Sequence, residues 1–112
     1  RNPQFVVESD GSVRNGYTIR LLNMIPERRT ILLSMQGLST AEMKIPQVSN
    51  DYSDRMFAIP VEPDKATTLK VFVTLPKHAV EDAREGFRFI AEDRSSHERD
   101  VYNATFNTPG AK

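Results

Sequence analysis

Alternation with a period of two, repeated along most of the chain, most constrains what this sequence can fold into. Tyr17, Ile19 and Leu21 alternate with Thr18 and Arg20, which puts the three apolar side chains on one face of an extended strand. Ile31, Leu33 and Met35 repeat the pattern, as do Phe57, Ile59 and Val61, with Pro60 marking an edge or a strand end. The longest series is Leu69, Val71, Val73 and Leu75, set against Thr68, Lys70, Phe72 and Thr74. Phe87, Phe89 and Ala91 follow, then Tyr102, Ala104 and Phe106. With Phe5-Val6-Val7 at the start, the chain carries seven short strands.

Turn residues separate these runs. Asp10-Gly11 and Asn15-Gly16 both supply the positive φ of tight turns, and the spacing predicts one as a hairpin tip and the other as a bulge. Pro26, Gly37, Pro46, Pro63, Pro76 and Gly86 punctuate the other gaps. The one helical pattern is His78 to Glu85, where Ala79, Val80 and Ala83 share a face; it predicts a turn or two capping the sandwich. Asn107 to Lys112 reads as a frayed tail. The fold class is all-β: an immunoglobulin-like antiparallel β-sandwich of about seven strands, one domain over residues 1–112. An antibody-type domain packs a Trp against a disulfide. This chain has no Trp and no Cys, so its core rests on Phe, Leu, Ile and Val, and the fold is Ig-like or fibronectin-like without a disulfide.

Composition limits the chemistry. The lack of Cys removes thiolate nucleophiles, thiolate zinc sites and Cys-ligated iron–sulfur clusters from this segment. Fifteen basic and fifteen acidic residues cancel, so no global positive field draws nucleic acid or an anionic membrane. No apolar run reaches the roughly 20 residues of a membrane helix. The opening Arg1-Asn2-Pro3, without Met or a signal-like segment, reads as part of something longer.

Candidate sites have sufficient structural explanations. His78, Glu81 and Asp82 share a face if helical and outline a sparse divalent site, but a solvated turn accounts for them. Ser96 and His97 are adjacent, so on a strand they point to opposite sides, and neither Asp93 nor Asp100 makes a triad of them. Asn50, Asp51, Ser53 and Asp54 supply oxygens without the spacing of a calcium loop. Met24, Met35, Met43 and Met56 carry thioethers suited to Cu(I), although core or rim packing explains them. Asn103-Ala104-Thr105 is a formal glycosylation acceptor, and Arg28-Arg29 is too short for a nucleic-acid patch. Gly11 and Gly16 lack the spacing of a phosphate loop. The reading therefore assigns no catalytic, cofactor-binding or metal-binding residue, and no enzyme activity, to this domain.

Asn2-Pro3 and the run Ser9-Asp10-Gly11-Ser12-Val13-Arg14-Asn15-Gly16-Tyr17-Thr18-Ile19-Arg20-Leu21-Leu22-Asn23 resemble the start of the C-terminal Ig-like domain of the FixG/CcoG family. Gly37-Leu38, the Leu69–Thr74 strand, Phe87-Arg88-Phe89, Thr105-Phe106 and Pro109 fit the later layout. The resemblance implies a membrane-bound, ferredoxin-like accessory protein of cbb3-type cytochrome c oxidase. Its [4Fe–4S] clusters lie upstream, none in this domain, and a link to copper handling is implied. The domain would follow the last membrane helix, on the periplasmic side of the bacterial inner membrane, touching the membrane only through those upstream helices. Its expected role is a non-catalytic interaction or positioning module, docking an oxidase subunit or assembly factor through a sheet face or edge strand. The alternatives are a periplasmic Cu(I)-binding domain using Met residues, or a free-standing binding sandwich. No nucleic-acid partner is expected.

Overall fold

The computed structural model of the chain describes residues 4–48, 55–79 and 86–108. Its strands are β1 (Gln4–Val7), β2 (Val13–Asn23), β3 (Arg29–Gln36), β4 (Glu42–Lys44), β5 (Met56–Val61), β6 (Lys65–Leu75), β7 (Phe87–Asp93) and β8 (Arg99–Ala104). They form two four-stranded sheets, ordered β1-β2-β6-β4 and β5-β3-β7-β8, with every pairing antiparallel. This is the four-plus-three arrangement of a constant-type Ig sandwich, with β5 added outside β3. β5 lies at a sheet edge, so the missing N–H of Pro60 breaks no central ladder.

All seven expected strands form, and β4 makes eight. Glu42-Met43-Lys44 holds a single inward side chain, too few positions for a period-two signal to register. The expected bulge at Asn15-Gly16 is absent, because β2 pairs without interruption with β1 on one side and β6 on the other. Asp10-Gly11 forms the tip of the β1–β2 hairpin, with Gly11 at φ 90°. Ser12 completes the turn by donating from its backbone N–H and its hydroxyl to the Asp10 carboxylate, at 2.9 and 2.7 Å. The expected helix from His78 is a short 3₁₀ turn at residues 77–79 where described, and residues 80–85 lie outside the described residues. Phe106 is buried just beyond β8 rather than in it.

Apart from outward-facing Ile90, the buried hydrophobic residues described form one cluster between the sheets. Each fully buried Leu, Ile, Val or Phe side chain in it contributes about 1.5–3 kcal/mol. Tyr17, Phe87 and Phe89 pack edge to face, with centroids 5.2–5.6 Å apart, and supply the aromatic centre of the core. Met35 and Met43 are buried in the same cluster, so the core is not confined to Phe, Leu, Ile and Val. Gly37 is required twice over: its φ is 95°, and a Cβ there would sit 3.0 Å from that of Phe87.

The inward row of β2 begins at Val13 and ends at Asn23, and two of its members are buried asparagines. Asn15 donates to the carbonyl of Asn107 at 2.9 Å and accepts from the N–H of Asn107 at 2.8 Å. The Tyr17 hydroxyl donates to the Thr105 carbonyl at 2.8 Å. Thr105 and Asn107 are therefore fastened to β2, so the frayed tail does not begin at Asn107; residues 109–112 lie outside the described residues. At the other end, Asn23 donates to the carbonyls of Glu27 and Glu62, at 2.7 and 3.0 Å, and ties two turns together. Asn15→Ala or Asn23→Ala strands buried carbonyl or N–H groups, and each is expected to lower unfolding free energy by about 2–3 kcal/mol. Urea denaturation measures this, and a loss below about 0.5 kcal/mol would show the bonds to be dispensable.

Candidate functional site

Cross-strand register places the outward side chains of the β5-β3-β7-β8 sheet in rows. Met56, Ser34, Ile90 and Val101 form one row across all four strands, and Ala58, Leu32, Glu92 and Arg99 form the next. Ile90 points away from the core between the inward Phe89 and Ala91, yet it is only 6% exposed. Met56 and Val101, at the two edges, are 36% and 49% exposed. Met56, Leu32, Ala58, Ile90 and Val101 make an apolar strip on a face that would ordinarily be polar in an antiparallel sandwich.

The outward face of the other sheet has the opposite character. Arg14 and Arg20 on β2, Lys70 on β6 and Lys44 on β4 lie on it, with Glu42 on β4 the carboxylate among them. Phe72 sits between Gly16 and Lys44 in register, and the Arg14 guanidinium lies 4.8 Å from its ring centroid. Arg14 also reaches to 3.8 Å from Glu8 at the rim, with both side chains substantially exposed.

Two charged residues inside the fold do structural work that the sequence reading did not foresee. Arg55 donates to three carbonyls of the β3–β4 connection, Gly37 at 2.7, Leu38 at 2.8 and Ala41 at 2.9 Å, and to that of Met35 near the end of β3 at 3.3 Å. Its planar fork closes a connection that has no ladder of its own, and burial lowers its pKa. Asp93 is buried at the end of β7 and accepts from the N–H groups of Ser95 and Ser96, at 2.7 and 3.0 Å, and from Arg29. Those backbone bonds, that to Ser96 first, and the Arg29 guanidinium hold its carboxyl below the usual carboxylate range against the opposing effect of burial. An open cleft beside this pair, floored by Leu21, Ile31 and Ala91, is thus bordered by groups already engaged in holding the β7–β8 turn. Nothing in one strand's sequence pairs Arg55 with distant carbonyls, so only the folded chain reveals it.

Among the described residues, those singled out in the sequence do not converge. Ser96 and His97 occupy the β7–β8 turn rather than a strand, with His97 at φ 68° and its Nδ1 3.2 Å from Glu92. Ser96 Oγ accepts from the Glu98 N–H at 3.3 Å. His78 is exposed on its short turn; Glu81 and Asp82 lie outside the described residues, as do Asn50, Asp51, Ser53 and Asp54. Met35 and Met43 are sealed in the core, while Met24 is 77% exposed. Met24 adjoins Asn23, whose side chain reaches the Val61 carbonyl at 3.4 Å; Met56 lies five residues back along β5. Arg28 pairs with exposed Glu62 at 3.3 Å whereas Arg29 turns to Asp93, so the basic dipeptide splits between two tasks. Asn103 is exposed on edge strand β8. Among the described residues no group of three His, Asp or Glu is placed to hold a metal ion, and no helix is long and apolar enough to cross a membrane.

The family described as "IG-like fold at C-terminal of FixG, putative oxidoreductase" matches residues 1–109. The chain belongs to this FixG C-terminal family. It is 64% identical over 112 residues to the nitrogen fixation protein FixG of Rhizobium meliloti (strain 1021), covering 99% of this chain and 21% of that protein. It is 30% identical to protein RdxB of Cereibacter sphaeroides, covering 98% of this chain and 22% of RdxB. The chain therefore spans about a fifth of the length of these relatives. A crystal structure of a FixG-related protein from Vibrio parahaemolyticus superposes with a TM-score of 0.70, at 18% identity, over 96% of this chain and 95% of that one. That likeness shows the shared fold.

The depressed Asp93 pKa of this FixG-family domain gives a signed expectation. Because the folded value lies below the unfolded one, ionised Asp93 stabilises the fold fully above about pH 4, and the contribution is lost as pH falls through the folded value. Asp93→Asn is therefore expected to be less stable than wild type at neutral pH and to approach it as the solution is acidified below pH 4. A difference independent of pH in urea melts would remove Asp93 ionisation from the account.

Proposed function

We propose that this domain is the non-catalytic docking module of a FixG-type membrane iron–sulfur protein. In this reading it stands on the periplasmic side of the inner membrane and positions the parent protein against a subunit or assembly factor of cbb3-type cytochrome c oxidase, during maturation that includes copper handling. The observation that carries the proposal is the apolar strip Met56, Leu32, Ala58, Ile90 and Val101, which crosses all four strands of one outer sheet face. A partner covering it would bury the exposed apolar surface of Met56 and Val101 on either side of the already buried Ile90. Membership of the FixG C-terminal family supports the assignment to such a parent. The [4Fe–4S] clusters belong, in this proposal, to upstream segments of the parent.

The test uses the full-length parent in its own cells. Val101→Glu and Met56→Glu lie at the exposed edges of the strip, so the domain is expected to keep its melting temperature while assembled oxidase in the membrane falls severalfold. Unchanged oxidase levels with both variants would overturn docking through this face. External protease on spheroplasts tests the location. A membrane-bound band much larger than 12.7 kDa that the protease clips is expected. A protected band, or a soluble one near 12.7 kDa, would overturn it.

A further inference from the structure

We infer that the outer face of the β1-β2-β6-β4 sheet is a seat for an anionic phospholipid surface. Arg14, Arg20, Lys44 and Lys70 share this face, set against Glu42 within it and Glu8 at its rim beside Arg14. Among the described residues, Glu27, Glu62 and Asp64 belong to the turns that follow β2 and precede β6. A chain whose fifteen basic and fifteen acidic residues cancel thus presents one face with a cationic excess. Its formal neutrality does not govern what that face attracts, because at physiological salt charges more than about 8 Å apart are largely screened.

The layout of the cations selects the kind of anion. Arg14 and Arg20 are six residues apart on a continuous strand, about 20 Å, with Lys70 and Lys44 on the neighbouring strands. No single phosphate or small ligand bridges such a spread. A planar array of headgroup phosphates meets all four at once. Phe72 lies among the cations under the Arg14 guanidinium, and Leu22, 58% exposed, ends the same face; both suit the boundary between headgroup and acyl chain. Lys70 stays within 3.5 Å of the Thr18 hydroxyl, a contact loose enough to yield to a phosphate oxygen. This surface is the opposite face of the sandwich from the apolar strip, so lipid and protein partner would not compete.

The experiment is co-sedimentation of the 112-residue chain, whose buried residues form one cluster of their own, with two kinds of vesicle. One contains equal parts phosphatidylglycerol and phosphatidylcholine, the other phosphatidylcholine alone. Partition onto the anionic vesicles is expected to exceed that onto the neutral ones by about tenfold or more at low salt, and to fall as salt is added. Arg20→Glu with Lys70→Glu should abolish that preference. Arg88→Glu with Arg99→Glu, the same charge change on the other sheet, should leave it within about twofold. Circular-dichroism melts confirm that both double variants fold. Equal partition onto both vesicle types, or equal loss from both double variants, overturns the proposal. Binding to an acidic polypeptide without binding to anionic vesicles overturns it also, because the face would then be a protein site. The readout is lipid association, so its failure leaves the oxidase-docking reading standing, and the reverse holds as well.

Discussion

The antiparallel ladder between β2 and β6 supports the rest of the structure. Its register runs without a break from Val13 opposite Leu75 to Asn23 opposite Lys65. Every second residue on both strands therefore faces the same side, and one sheet presents two parallel apolar rows to its partner. A slip of β2 by one position would carry Ile19 and Leu21 to solvent and bring Arg20 inward. The buried asparagines at 15 and 23 add a further restraint. Each finds its backbone partners only when β2 is in this register, so hydrogen bonding and hydrophobic burial select the same alignment.

That alignment also decides what the molecule shows to its surroundings. Pairing β2 with β6, and β6 with β4, brings Arg14, Arg20, Lys70 and Lys44 onto one surface although they are scattered over more than fifty positions of sequence. Pairing β3 with β5 and β7, and β7 with β8, assembles Leu32, Ala58, Ile90 and Val101 on the other. A sandwich with one cationic and one apolar outer face is suited to lie between two different surfaces. Among the described residues the buried polar side chains, Ser12, Asn15, Asn23 and Asp93, are engaged in holding turns and the C-terminal segment.

Much of the fold was legible because period-two alternation is a local property. Phe57-Ala58-Ile59-Pro60-Val61 and Leu69 to Leu75 declare their faces within a few residues, and both form strands with those faces inward. The departures have equally local causes. Asn15-Gly16 has the composition of a turn, but strands on both sides bind its backbone and the pair stays extended. β4 holds one inward residue, Met43, and gains its strand character from β6 rather than from its own sequence. Ile90 keeps the alternation of β7 but places an apolar side chain outward between Phe89 and Ala91, so the local pattern carries no sign of an apolar outer face.

By itself the sequence determined the all-β class, most of the strands, the inward side chains and the resemblance to the FixG family, because alternation, turn residues and the opening motif are contiguous in the chain. The tertiary structure alone decided which strands became neighbours. Through that it set the anchoring of Asn107 by Asn15, the four carbonyls gathered by Arg55, and the separation of cationic from apolar surface. The physical reason is that hydrogen-bond partners and surface fields depend on distance in space, and a count of charges along the chain carries no information about which strand lies beside which.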